Sequence, residues 1–574
     1  EYVKSCGSLP PYNTAEGLRG LFPRSLDAAA KNTNISSTFY TFIKSKYATP
    51  DYCAAVLKNI WDTAHALSLD THTEGNWRQH QFNSLLETVS YFPELADTRS
   101  GENWMRKSID ELSDMLVYRN NLPDGSYAED TCGYANSAFE QFYSFRHNLS
   151  RDGYEVPERL DEALRKNAYY NAMLFTSDGT TIQYGDGGGR TFRRKASLYE
   201  AVADLTGDDF LKYIVTFGEK GKKPPFTSCL FPDSTVSQMR NDWSKTSPYL
   251  FTNVRGLGGH GHADDNAIIF YAYDRILLND SGTLTYTNNK YRQYAISTEA
   301  HNTVMVNDKS QNMDGTAGDV HTWIPAEEFD YLCLSTYQND DADHKRSIIY
   351  IKPDIFIVTD KMTRKNGAKS NNYKQIWHMY PWSNMTVQDR RIYSNYEDGA
   401  NIIVASADAD LSKSAKKAAW YDMDGITDCD YGFFEKTGAD GNQTFSTVLF
   451  PYKENTEADV RTEVIESSGG RGVRTEIECD GTKRIVFSFN SDGGGNGTFG
   501  NYETDAEMAY ILTDSGGNCA QAAFVNGSYI KQDGQTVIKT REKSESYSVK
   551  YENDKITVIT DADITTAGAV RPDE

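Results

Sequence analysis

Positive charge is scarce in this chain. Lysine and arginine total 59 against 81 aspartates and glutamates, a net charge of -22 over 574 residues. A surface so acidic excludes a general nucleic-acid or anionic-membrane binder, though a locally basic cleft would still hold a polyanion. No apolar run approaches the eighteen residues that a membrane span needs. The first residues, EYVKSCGSLPPY, lack the basic start and apolar stretch of a secretion signal, so any such signal has been removed or never existed. The eight cysteines (Cys6, Cys53, Cys132, Cys229, Cys333, Cys429, Cys479, Cys519) lie far apart with no CxxC pair, which excludes a zinc ribbon or a small disulfide scaffold and favours free or occasionally paired thiols. There is no internal repeat and no GxxxxGK[ST] phosphate loop.

What is present is ordinary globular material: 39% hydrophobic and 24% charged residues, in a chain long enough for two to four domains. From about residue 38 to 235 the apolar period is helical. Val56, Ile60, Ala64 and Leu67 share one face, as do Phe82, Leu85, Leu86 and Val89. Ile109, Leu112 and Leu116 continue the pattern, followed by Phe139, Phe142 and Tyr143, by Leu160, Leu164 and Ala168, and by Leu198, Ala201, Val202 and Leu205. Breaks such as LPDGS and SDGTT separate these segments into helical hairpins.

Beyond a polar junction at residues 231–247 the period changes to two. YLFTNV, AIIFYAY, TVMVN, SIIYI, IFIVTD, NIIVAS, STVLF, RIVFSF, AYILTD and KITVITD are short β-branched or aromatic runs separated by turns, which predicts packed antiparallel sheets. The expectation is a helical domain over 1–238 and an antiparallel β-sandwich over 239–574, with a separate small sheet from about 450. SDGGGNGTFGN near Asn490 reads as a flexible surface loop.

One stretch carries the densest chemistry. GGHGHADDNAIIFYAYDRILLNDSG, followed by RQYAISTEAHNTV, places three of the ten histidines within forty-two residues. In an extended chain residues two apart point the same way, so His260 and His262 can face one site. Asp280 follows eighteen residues after His262 and His301 opens HNTVMVN, giving a His2Asp set suited to zinc. A single such histidine is more often a satisfied core group; three beside strand ends point to a site. A metallo-β-lactamase-type HxHxDH string is matched at His260, His262 and Asp264, but Asp265 stands in place of the last histidine.

GHGHAD, LLNDSGT and RQYAISTEAHNTVMVN together resemble the β-sandwich signature of the heparinase II/III-like polysaccharide lyases, with LNDSG where relatives often have DPG. The resemblance implies an α+β multidomain chain, an incomplete (α/α) toroid preceding an antiparallel β-sandwich. It implies that His260 lines a catalytic cleft and that His262, Asp280 and His301 hold a mainly structural divalent metal, usually zinc. LPDGSYAEDTCGYANSAF resembles the family's DGSxxExSxxY string, with Asp124, Gly125, Ser126, Glu129 and Tyr134 in place and Thr131 where serine is common. GNWRQHQFNSLLE resembles its asparagine-containing helix start, with Asn76 fifty-eight residues before Tyr134, and with Trp77 where relatives have histidine.

By this resemblance the enzyme removes the C5 proton of a uronic acid and expels the O4 substituent. Neutralising the carboxylate stabilises the enolate-like transition state, a task for Asn76 with Gln79 or His80 beside it. Tyr134 and His260 form the acid and base pair, their order set by the stereochemistry at C5. Trp77, Arg78, Trp104 and Arg146 are groove-lining candidates for which packing is the simpler account, and Asn76 has a simpler reading as a helix cap. Arg190, Arg193 and Arg194 of GDGGGRTFRRK are candidate carboxylate contacts or a solvated loop. The implied partner is an anionic polysaccharide, and the implied location secreted or periplasmic. Strong acidity fits heavily sulfated heparin poorly and hyaluronan, chondroitin or alginate better. The rival readings are a uronate-oligosaccharide hydrolase and a non-catalytic carbohydrate-binding protein. Composition sets no oligomeric state.

Overall fold

A computed structural model describes residues 24–560 apart from 70–73, 96, 130, 188–195, 257–259, 314–315, 366, 368–370, 380–384, 409–411, 423–424 and 553–554. The chain divides into two compact units. One comprises residues up to 129, Tyr134–Asn171 and Ser197–Asp208; the other comprises Asp130–Gly133, Ala172–Ala196 and everything from Asp209 onward. The first is the helical arc of an (α/α) toroid, and the second carries the antiparallel sheets of a β-sandwich.

In the helical unit, Ser25–Phe42 packs against Pro50–Leu69 and Gly75–Tyr91. The expected faces are the buried ones: Val56, Ile60, Ala64 and Leu67 on one helix, Phe82, Leu85, Leu86 and Val89 on the next. From the helix Ser25–Phe42 the Asn32 amide donates to the hydroxyls of Ser84 (3.2 Å) and Thr88 (2.8 Å) on Gly75–Tyr91, satisfying polar groups that burial would otherwise penalise. The helix Ala196–Thr206 is rotated from expectation. Tyr199, Val202 and Ala203 are buried while Leu205 is exposed, because the Tyr199 ring stacks on Phe139 (4.3 Å) and its hydroxyl donates to Asn136 (2.6 Å).

All ten expected strand runs fall in strands. The sheets start ahead of the expected boundary at 238: Cys229–Phe231 and Val236–Arg240 open a five-stranded sheet within what reads in sequence as a polar junction. At the centre of the second unit lies an eight-stranded sheet buried on both faces. Alternation sorts its side chains between two cores. Leu332, Leu334, Ile348, Tyr350, Phe356 and Val358 join one, with residues of the five- and four-stranded sheets. Tyr331, Cys333, Ile349, Ile351, Ile355 and Ile357 join the other, with Val460, Ile477, Val486 and Tyr510 of a ten-stranded sheet. That last sheet begins at Ala458.

The SDGGGNGTFGN stretch is only partly the expected loop. Gly497–Phe499 pairs with Tyr502–Thr504, and Phe499 is buried against Phe489. A side chain at Gly497 would collide with the Phe489 ring, so close packing rather than flexibility accounts for that glycine. The described cysteines Cys53, Cys132, Cys229, Cys333, Cys479 and Cys519 form no disulfide.

Two buried polar clusters hold the loops at one end of the five-stranded sheet. Arg346 and Asp360 are fully buried and doubly bonded (2.6 and 2.7 Å), with His344 (2.7 Å) and Gln375 (2.7 Å) completing the carboxylate's shell. The remaining Arg346 nitrogen donates to the carbonyls of Asn266 and of Asn302 (3.0 Å). Asn302 in turn ties three segments: its amide donates to the carbonyls of Ile268 (2.7 Å) and Asn279 (3.0 Å), and its oxygen accepts from the backbone N–H of His378 (2.6 Å).

Removing one partner of a buried ion pair strands the other charge, so Arg346→Met is expected to lower unfolding free energy by about 3–5 kcal/mol in denaturant titrations. His378 gives a pH signature. Burial, aided by the nearby His301, pushes its ring down to about 3 from 6.5. The unfolded chain takes up this proton where the folded chain resists it, so stability is full above 6.5 and is lost as pH falls toward 3. The slope from this group is about 1.4 kcal/mol per pH unit. His378→Gln is expected to remove that part of the slope in urea titrations across the window; an unchanged slope would contradict the assignment.

Candidate active site and metal centre

The hairpin of strands Ile268–Ala272 and Arg275–Leu278 explains how residues far apart in sequence meet. Its turn residues Tyr273 and Asp274 both have positive φ (51° and 66°), the two-residue geometry that matches strand twist. The chain therefore returns alongside itself, and Asp280 lands beside the segment entering the hairpin. His301 follows the short turn Thr298–Ala300, which is fixed by the Thr298 hydroxyl on the Ala263 carbonyl (2.8 Å).

His262, Asp280 and His301 are buried, and each presents a ligand atom within 4.8 Å of the others. Asp280 Oδ1 accepts from the Gly282 N–H (2.8 Å) and Oδ2 from His301 Nδ1 (2.5 Å). His262 Nδ1 and His301 Nε2 are fully buried without a hydrogen-bond partner. Orphaned imidazole nitrogens are costly in a core unless a cation takes their lone pairs. Burial pushes the neighbouring Asp264 carboxyl up to about 7, against the partial compensation of His301. Burial alone would lower His301, but the Asp280 and Asp264 carboxylates outweigh it and raise the ring's pKa. The residues fit a divalent cation.

Asp265, by contrast, is structural. Its oxygens accept from the Gly256 N–H (3.0 Å) and the Thr336 hydroxyl (2.7 Å), which removes it from a metallo-β-lactamase-type ligand set.

His260 belongs to a different arrangement. Its Nδ1 donates to Asp186 Oδ2 (3.0 Å), and its side chain retains 23% exposure. The same carboxylate accepts from His262 Nε2 (3.1 Å) and from both terminal nitrogens of Arg292, and the Asp186 N–H donates to the His260 carbonyl (2.9 Å). Burial would raise the Asp186 carboxyl, but the hydrogen bonds from His260, His262 and Arg292 outweigh it and hold the group well below the usual range. Arg292 stands over the ring of the exposed Tyr286 (5.3 Å), which meets the His260 ring edge-on (6.5 Å). Asp186, Arg292 and Tyr286 are functional candidates that sequence reading misses. Asp186 hides in the glycine-rich GDGGG run, where the aspartate reads as turn chemistry. Arg190, Arg193 and Arg194 of that run lie outside the described residues.

In the helical unit, Asn76 is not the cap of its helix. Gly75–Tyr91 starts one residue earlier, and the Asn76 N–H donates to Glu129 Oε1 (2.7 Å). Gly75 adopts positive φ (57°), and a side chain there would collide with the Glu129 carboxylate, so glycine is required. Glu129 is thereby engaged with the helix start rather than presented to a ligand, and Tyr127 packs beside it, its hydroxyl pKa pushed far up by burial and by Glu129.

Of the two candidates next to Asn76, Gln79 is fully buried and donates to the Ala138 carbonyl (3.0 Å), which corrects its expected role at substrate. His80 is half-buried, with Nε2 2.9 Å from the Gln141 amide nitrogen; Gln141 Oε1 is taken by Asn83 (3.2 Å). The His80 ring thus accepts at Nε2, and burial lowers its pKa, so it is neutral at neutral pH. Arg78 is likewise corrected: its fork is bound to Glu111 (2.6 and 3.0 Å), which also pairs with Arg119. Arg146 is held by Asp161 (2.6 and 3.0 Å) and Trp104 is buried against Trp61, both as packing predicts. Trp77 and Tyr134 are half-buried, with Tyr134 two residues into the helix Cys132–Arg151.

Comparison with known proteins matches these two blocks to two halves of one family. The Heparinase II/III N-terminus profile covers residues 1–213, and the Heparinase II/III-like, C-terminal profile covers 232–524. A heparin-sulfate lyase of Pedobacter heparinus is 23% identical over 75% of this chain and 66% of its own length. Another from Bacteroides stercoris is 20% identical over 81% and 70%. The chain thus spans about two thirds of the length of these curated relatives. The crystal structure of a heparinase III superposes with a TM-score of 0.70 at 18% identity, over 81% of this chain and 75% of that one, a likeness of fold. With one family model matching the helical half and the other the sandwich half, the chain belongs to the heparinase II/III family.

Proposed function

We propose that this chain is a polysaccharide lyase that cleaves a uronate-containing glycosaminoglycan by β-elimination, leaving a 4,5-unsaturated uronate end. The observation that carries the reading is His260, a partly exposed imidazole backed by a buried carboxylate, beside a separate His2Asp set that is wholly buried. That difference in exposure supports a reading in which His260 transfers protons while His262 and His301 serve structure. The curated relatives are heparin-sulfate lyases, which favours a heparan-type polymer over hyaluronan, chondroitin or alginate.

In the proposed reaction the C5–H and C4–O4 bonds break and a C4=C5 double bond forms. The C5 proton passes to a base, the O4 leaving group takes a proton from an acid, and no water is consumed. Tyr134 and His260 are the two proton-transfer groups. Asn76 donates its side-chain amide to the uronate carboxylate, which stabilises charge building up on it. His80, being neutral, contributes a hydrogen bond rather than a positive charge, and its Nδ1 carries the donated hydrogen because Nε2 accepts from Gln141. A hydrolase would need two opposed carboxylates. The carboxylates held against these side chains, Asp186 and Glu129, are instead engaged as acceptors from nitrogen.

The proposed metal is zinc, held by His262, Asp280 and His301. When bound it would supply a positive charge that satisfies two orphaned imidazole nitrogens and cross-links the hairpin to the His301 loop.

Incubation with heparan sulfate, heparin, chondroitin, hyaluronan and alginate, followed by near-UV absorbance, is expected to register unsaturated product from a heparan-type polymer; silence on every uronate polymer would sink the reading. Tyr134→Phe is expected to cut turnover by about 100-fold to 10,000-fold with its circular dichroism unchanged. Exhaustive chelation is expected to lower the thermal midpoint, and stoichiometric zinc to restore it; identical melting curves would remove the metal from the proposal.

A further inference from the structure

The shared carboxylate of Asp186 does more than pair two histidines. An ionised carboxylate only accepts hydrogen bonds, so every ring nitrogen facing it must carry hydrogen. Arg292 spans both of its oxygens, which favours the ionised form. On His260 the nitrogen facing Asp186 is Nδ1; on His262 it is Nε2. The two rings, two residues apart on the same segment, are therefore set in opposite tautomers by one group. His260 keeps its lone pair at Nε2. His262 keeps its lone pair at Nδ1, the buried nitrogen that has no hydrogen-bond partner and stands among Asp280 and His301.

We propose that Asp186 is a positioning residue that locks His260 and His262 in opposite tautomers, turning one ring outward for proton transfer and the other inward for metal ligation. Asp186 is braced by its own backbone and by Arg292. Its own N–H holds the His260 carbonyl, which fixes the main chain of the segment as well as the ring. Arg292 is presented by the short helix Lys290–Ala295, whose start is capped by Asn289 accepting from the Tyr291 and Arg292 N–H groups (2.9 and 3.1 Å). The position of the carboxylate is thus determined by an element other than either histidine. The proton-transfer half of the inference rests on the lyase reading; the tautomers and the metal ligation do not.

Asn at position 186 has one accepting oxygen and one donating nitrogen, so it can accept from one ring but must donate to the other. Asp186→Asn is expected to turn one of the two rings to its other tautomer, and to cost about 10-fold to 100-fold in metal affinity or kcat, with KM changing less than kcat. The primary measurement needs no variant: nitrogen-15 imidazole spectra of the wild-type protein in mildly alkaline buffer, assigned by His260→Gln and His262→Gln. The expected result is hydrogen on Nδ1 of His260 and on Nε2 of His262. The same tautomer in both rings overturns the proposal even if Asp186→Asn does not fold. For a folded variant, unchanged ring spectra with wild-type zinc content by elemental analysis also overturn it, whatever happens to turnover. Should the wild type cleave no uronate polymer, the lyase reading fails while the ring spectra and zinc content still decide the role of Asp186.

Discussion

The buried Arg346–Asp360 pair is the constraint on which the sheet unit's chemistry depends. A guanidinium with no access to water must place every N–H on an acceptor, and this one spends its spare hydrogens on the carbonyls of Asn266 and Asn302. Those residues flank the segments that carry His262 and His301. Charge buried in the centre of a two-faced sheet therefore determines where loops at its edge can lie. His344 and Gln375 leave the carboxylate no alternative geometry, and Thr447 holds Gln375 in turn (2.7 Å). The ion pair is an anchor for loops that have little apolar surface of their own.

The proposed division of labour among the histidines rests on burial. His262 and His301 have no exposed side-chain surface, while His260 retains some, although all three lie within one hydrogen-bonded neighbourhood. A ring sealed from solvent cannot exchange protons with a ligand but can hold a cation; a ring at the rim can do the reverse. Asp186 serves both because a carboxylate has two oxygens, and Arg292, spanning both of them, balances the negative charge of the buried carboxylate.

Much of this was legible in the chain. Period-two runs with β-branched residues gave every expected strand, since burial on either face selects the same residue types. That His262, Asp280 and His301 come together was legible because a set able to hold a metal draws on a narrow residue alphabet. Asp186 was not, because an aspartate among glycines carries the same signal whether it closes a turn or reaches across the fold. Arg78 and Gln79 were misplaced for a related reason: helical periodicity tells which face a residue occupies, but not that Glu111 or the Ala138 carbonyl already waits there. The register error in Ala196–Thr206 came from counting leucines as the core-formers, where a tyrosine stacked on Phe139 took the inner position.

Glu129 against Gly75 has a consequence for how the helical unit meets a polyanion. The start of a helix is a natural seat for negative charge, since its N–H groups point outward unpaired. Here the protein has filled that seat with its own carboxylate, and the glycine exists to let it approach. For any anion that approaches, the generic attraction of the helix end is already neutralised. Under the proposed lyase function, discrimination between carboxylate and sulfate would fall to directional donors such as the Asn76 amide, a matter of shape and hydrogen-bond angle more than of electrostatic field strength.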